Sequence, residues 1–115
     1  MRVFEIRCDE IPIGHSALEL GDPPMGVAFG RFVPLPAYSH VQAACIASTK
    51  NPSQKQLVLT VRQPDGSLLT AHGVGIDDLG EGEIEVTAIG IPYPLYEQIF
   101  PKHVQAYQNQ FSSAG

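Results

Sequence analysis

Leu57-Val58-Leu59-Thr60-Val61-Arg62-Gln63-Pro64-Asp65-Gly66-Ser67-Leu68-Leu69, inside the segment Gln56 to Gly73, decides the fold class. Leu57, Leu59 and Val61 alternate with other residues at the period of a half-buried strand. Pro64 presets φ at the first turn position and Gly66 supplies the left-handed residue, after which Leu68, Leu69 and Ala71 resume the apolar pattern. The segment therefore predicts a β-hairpin. A glycine cluster at Gly73, Gly75, Gly80 and Gly82 marks the next connection. Glu83 to Ile91 then predicts a strand with Ile84, Val86 and Ala88 inward.

Working toward the N-terminus, residues 2 to 8 alternate Phe4 and Ile6 against Glu5 and Arg7. Asp9-Glu10 signals a turn, and Ile11, Ile13, Ala17, Leu18 and Leu20 suggest a second strand interrupted by Gly14, so residues 2 to 20 read as a hairpin. Gly21-Asp22-Pro23-Pro24 is a loop, because paired prolines remove two donors and fix two φ angles. Met25 to Val33 is apolar on both faces and reads as a central strand, with Gly26 and Gly30 marking close backbone approach.

Two helices complete the pattern. Ser39-His40-Val41-Gln42 matches a capping box, followed by Val41, Ala44, Cys45 and Ser48 on one helical face that ends before Asn51-Pro52. Phe100, Val104, Tyr107 and Phe111 recur at helical spacing, with Pro101 suited to the first turn, and a short turn at Leu95 to Phe100 precedes them. The expectation is α+β: an antiparallel or mixed sheet of five to six strands with two to three helices, including a C-terminal amphipathic helix. Residues 1–111 form one domain and 112–115 a flexible tail.

Composition narrows the function. The chain has 115 residues, 43% hydrophobic and 17% charged, which is ordinary for one globular domain. Seven Lys and Arg stand against twelve Asp and Glu, a net charge of −5. Nucleic acid is disfavoured, since phosphate binding needs clustered cations. The longest basic stretch, Lys50 to Lys55, is interrupted by Asn51, Pro52, Ser53 and Gln54 and reads as a solvated loop. No apolar run suits a membrane span, and residues 1–7 do not resemble a signal peptide. Cys8 and Cys45 lack a Cys-x-x-Cys pattern and read as free thiols in a reducing compartment, so a cytoplasmic location is expected.

The chain carries no recognisable catalytic or cofactor motif. His15, His40, His72 and His103 lack metal-ligand spacing, and no metal site is expected. Cys45 with His40 or His72 has the elements of a thiolate nucleophile, but its place on an apolar helix face favours core packing. Ser16, Ser39 and Ser67 carry no nucleophile elbow. Gly73 to Gly80 lacks the Lys-Ser or Lys-Thr of a phosphate loop and reads as a flexible turn between strands.

The acidic run is the strongest functional candidate. Asp77, Asp78, Glu81, Glu83 and Glu85 place five carboxylates within nine residues. They read either as a solvated face or as a negative patch that steers a basic protein partner. An acid/base pair or calcium ligands are further options, although the EF-hand order is absent. Around Gly90-Ile91-Pro92-Tyr93-Pro94-Leu95-Tyr96, Tyr93 and Tyr96 are candidate anchors, the alternative being a rigid corner with Tyr96 in the core.

Two segments, Gly21 to Phe32 and Gly90 to Tyr96, resemble small uncharacterised single-domain bacterial proteins. The likeness covers under a quarter of the chain and implies a stand-alone cytosolic protein, with no site residue to carry over. The leading expectation is a non-enzymatic protein-binding domain, most concretely an immunity-type inhibitor of a basic bacterial toxin. Its alternatives are a small hydrolase or ligand-binding domain with a cleft containing His15, His40 or His72, and a homo-oligomer pairing its strands.

Overall fold

Phe4, Ile6 and Cys8 point inward along the first strand, β1 (Phe4–Cys8), while Glu5 and Arg7 occupy the other face. Asp9 and Glu10 both take positive φ and turn the chain into β2 (Ile11–Ser16), which pairs antiparallel with β1 from Phe4↔Ser16 to Cys8↔Ile11. The computed structural model describes residues 2–53 and 57–112. The end of the expected Lys50 to Lys55 loop, the Gln56 start of the expected hairpin and the tail beyond Ser112 lie outside the described residues.

The expected strand through Leu20 breaks after Ser16. The Leu18 N–H donates to Ser16 Oγ at 3.0 Å, and Leu18 takes φ 44°. The chain then enters β3 (Leu20–Asp22), which belongs to a different sheet. Met25 to Val33 divides in the same way. After one 3-10 turn at Pro23–Met25, β4 (Val27–Arg31) pairs with β3, and β5 (Val33–Pro34) crosses to pair with β2.

These four short strands are one bent ribbon. Pairing stops at His15↔Val33 on one side and resumes at Leu20↔Phe29 on the other. Residues 16–19 therefore face residues 30–32, and the extra residue is a bulge that bends the ribbon. Glu19 closes the gap, its Oε1 accepting the Arg31 N–H at 3.1 Å. Gly30 leaves the room that the Glu19 carboxylate occupies, since a Cβ there would fall on that carboxylate and displace it. A second glycine, Gly14, lies under the Phe32 ring, which fills the place of its missing side chain.

The remaining strands are β6 (Leu59–Arg62), β7 (Gly73–Asp78) and β8 (Ile84–Ile89). The fold is α+β, with two antiparallel four-stranded sheets in the orders β5-β2-β1-β6 and β3-β4-β8-β7. This corrects the expected single sheet of five to six strands: the bulge divides what sequence periodicity reads as continuous strands. β8 buries Ile84, Val86 and Ala88 as expected. The Pro64 turn also forms, with the Gly66 N–H donating to Gln63 O at 2.8 Å and Gly66 at φ 91°. Its return arm makes only the bridge Arg62↔Leu68 before the chain leaves for the second sheet. Gly73 and Gly75 lie within β7, so the glycine-rich segment is largely strand and the turn occupies residues 79–83.

Three α-helices cover the sheets: α1 (Gln42–Lys50), α2 (Leu95–Ile99) and α3 (Pro101–Ser112). The capping box does not form. Ser39 lies in a 3-10 turn, Pro36–His40, and donates its hydroxyl to Pro36 O, while Val41 occupies the N-cap without a side-chain cap. Thr49 of α1 covers the outer edge of β7, accepting the Asp78 N–H at 3.0 Å. Opposite, Phe100 stacks on Phe4 at 5.5 Å and Tyr96 packs against Phe100. Each ring is essentially fully buried, a contribution of roughly 1.5–3 kcal/mol per side chain. The α3 stripe fades outward: Val104 and Tyr107 are half-buried and Phe111 is exposed. No helix among the described residues is long and apolar enough to cross a membrane.

Candidate functional site: an acidic groove over the second sheet

Strand alternation places the acidic run on two sides of the second sheet. Ile84, Val86, Ala88, Ile76 and Asp78 face inward, and Asp77 and Glu85 face outward. Register aligns Arg31, Glu85 and Asp77 in one row across β4, β8 and β7, with Arg31↔Glu85 and Asp77↔Glu85 directly opposite. The like-charged pair costs about 0.2–1 kcal/mol and concentrates negative potential on this face.

The row opens into a groove of about 710 Å³ lined by Asp77, Glu81, Glu83 and Glu85, joined by Glu19 from the ribbon bend. Five carboxylates face one guanidinium, Arg31. None of the five makes an ion pair among the described residues, where the ion pairs join Arg7 to Glu5 and Glu10, and Arg62 to Glu10. Leu20 and Leu79 line the same groove and are each about half exposed, at 53% and 54%. The site thus combines net negative charge with exposed apolar surface.

Asp78 does not join it. Its side chain is buried, with Oδ2 accepting from Tyr38 Oη at 2.7 Å and Gln42 Nε2 at 3.3 Å, and Oδ1 from the Gly80 N–H at 2.8 Å. Burial pushes the carboxyl pKa up, but the hydrogen bonds from Tyr38, Gly80 and Gln42 outweigh it and hold the pKa below the ordinary value. Asp78 therefore ties the 79–83 turn to α1 and the 3-10 turn. Removing it from the predicted patch follows from strand period: as the neighbour of Asp77, it must point the other way.

The two tyrosines also separate. Tyr96 is fully buried and donates its hydroxyl to Val27 O at 2.7 Å, so it is a core residue and presents no surface. Burial pushes its phenol pKa up. Tyr93 is half exposed, stacks on Tyr96 at 5.5 Å and donates to Pro23 O at 3.2 Å. It lines a separate depression with Pro24, Glu97 and Tyr107, away from the acidic groove.

The histidines do not converge. His15 lies on the outer face of the first sheet in a cavity with Glu5 and Arg7, and His103 lines another with Glu19 and Asp22. His103 is held at the ribbon bend, its Nε2 2.7 Å from Leu18 O and its ring stacked on Phe100. His40 and His72 line neither cavity. No cluster of three or more potential metal ligands is found among the described residues. Cys8 and Cys45 are free and buried. Cys45 borders a cavity of only about 100 Å³ beside Thr49 and Leu59. β4 is hydrogen-bonded on both edges, by β3 and β8, and offers no free edge to another chain.

Sequence reading missed Glu19, Leu20 and Arg31 because the ribbon bend and the pairing of β3, β4 and β8 bring them to the groove from a distant part of the chain. Tyr38, Gln42 and Thr49 were missed for a similar reason, as their partners lie on β7. No family model, curated protein or solved structure matches the chain.

Proposed function

We propose that this chain is a non-catalytic binding domain that receives a basic segment of a partner protein in the groove over the second sheet. The observation that carries the reading is convergence: Asp77, Glu81, Glu83, Glu85 and the distant Glu19 line one groove with exposed Leu20 and Leu79. Such a field speeds encounter with a cationic partner and penalises an anionic one. Apolar side chains among the charges supply the desolvated contacts that long-range attraction lacks. Within this class, an immunity-type inhibitor of a basic toxin fits a small acidic domain whose groove carries no catalytic constellation.

The test is fluorescence anisotropy with a labelled oligolysine peptide against the wild type and an Asp77→Lys/Glu85→Lys variant. Both positions are exposed, and circular dichroism checks that the variant folds. Expected is binding to the wild type that weakens about tenfold or more between low and physiological salt, with association lost in the variant. Equal affinity for both proteins, or none for either, refutes the reading. The inhibitor form requires more: co-expression of the wild type must relieve the toxicity of a basic protein captured from source cells, and the variant must fail to do so.

A further inference from the structure

The acidic groove does not end at β3. A second depression of about 520 Å³ shares Glu19 and Leu20 with it and runs on between the sheet and α3. Leu20 and Phe29 from the sheet and Ala106 and Tyr107 from the helix form its apolar lining, alongside the polar Glu19, Asp22 and His103. Phe29 and Tyr107 are only half-buried, and the helical stripe continues to exposed Phe111, which meets Tyr107 edge-on at 5.0 Å. The apolar end and the acidic end are thus two parts of one channel across the strands.

Resting on the binding reading above, we infer that the occupant is an extended segment of a second protein carrying a large apolar side chain and, about four residues away, a pair of Lys or Arg. The apolar side chain seats between Leu20, Phe29 and Tyr107, and the cations face Glu85 and Asp77. The spacing follows from register. Leu20 pairs with Phe29, two residues along β4 from Arg31, and the Arg31 row continues to Glu85 and Asp77. Strands lie about 4.8 Å apart and extended residues rise about 3.3 Å, so Leu20 is roughly 12 Å from Glu85 and 16 Å from Asp77. An extended peptide covers those spans in about four to five residues. Charge selects the occupant: a second copy of this chain, at net −5, sets acid against acid, whereas a cationic segment is complementary.

The experiment compares two labelled peptides, oligolysine and the same peptide with a phenylalanine about four residues before its first lysine. Titrations use the wild type, Tyr107→Ser, which removes a half-buried wall of the second depression that lines no part of the acidic groove, and Ala106→Gln, which narrows the apolar end without adding charge. The phenylalanine peptide is expected to bind the wild type about tenfold tighter than oligolysine, as burying one apolar side chain permits. Both variants erase that gain while leaving oligolysine affinity unchanged. If the wild type binds oligolysine but phenylalanine adds nothing, or its gain survives both variants, the inference falls and the acidic-groove reading stands. If oligolysine does not bind, both fall. Phenylalanine-peptide binding that only accompanies dimerisation of the protein, seen by sedimentation, overturns the inference in favour of a second copy.

Discussion

Replacing Asp78 by alanine removes the acceptor for three donors at once. Tyr38, only 2% exposed, is left with a hydroxyl that has lost its 2.7 Å partner, while Gln42 and the Gly80 amide lie nearer to water and recover part of their hydration. A hydrogen bond to a charged group contributes about 1.5–3 kcal/mol, and an orphaned buried donor costs about 1–3 kcal/mol, so the expected loss is about 3–4 kcal/mol. Asp78→Asn is milder, at about 2 kcal/mol, because an amide has one acceptor oxygen where both carboxylate oxygens accept. The chain has no tryptophan, so urea unfolding is followed by far-UV circular dichroism. The pH dependence gives a second reading. The folded pKa of Asp78 lies below its ordinary value of 3.8. Its stabilisation is therefore complete above the unfolded-state value and lost as pH falls through the lower folded value. The stability gap between wild type and Asp78→Asn must be flat above about pH 5 and narrow below about pH 4. A loss under about 1 kcal/mol in Asp78→Ala, or a gap that stays constant on acidification, refutes the latch role assigned to this carboxylate.

Two further outcomes follow from packing. Gly30→Ala drives a Cβ into the Glu19 carboxylate and to 3.0 Å from the Glu19 amide, so it should cost about 1–3 kcal/mol in thermal unfolding. Adding Glu19→Ala should recover only part, and a neutral Gly30→Ala contradicts the bent-ribbon register. Cys8 and Cys45 are 6% and 3% exposed. Burial pushes both thiols up, with the charge of Asp9 adding to the effect at Cys8 and that of Asp78 at Cys45. Native protein at mildly alkaline pH should therefore react with a disulfide reagent orders of magnitude more slowly than protein in denaturant. Labelling of either thiol at the free-cysteine rate refutes this burial.

The sequence reads well where a local rule meets no tertiary competitor. Phe4 and Ile6 in β1, and Ile84, Val86 and Ala88 in β8, follow the period-2 pattern because each strand lies against one core. Pro64 and Gly66 make their turn because its dihedral requirements are local. The Ser39 box failed because Ser39 lies inside a 3-10 turn and the helix begins only at Gln42, so Ser39 is not its N-cap and the Gln42 side chain reaches Asp78 instead. Of the proposed site residues, Asp77, Glu81, Glu83 and Glu85 share the groove, Tyr93 lies on another surface, and Asp78 and Tyr96 are buried.

By itself, then, the sequence determined the α+β class, the inward faces of the clearest strands, the C-terminal helix and the acidic character of one segment. All of these depend on residue type and short-range spacing. Tertiary structure alone decided that there are two sheets, since the bulge at residues 16–19 takes its left-handed residue from Leu18, where no glycine announces a bend. It also decided which acids face outward together. Glu19 reaches Asp77 and Glu85 only because the ribbon folds over, and Asp78 turns inward because Tyr38 and Gln42 arrive from another part of the chain to hydrogen-bond its carboxylate.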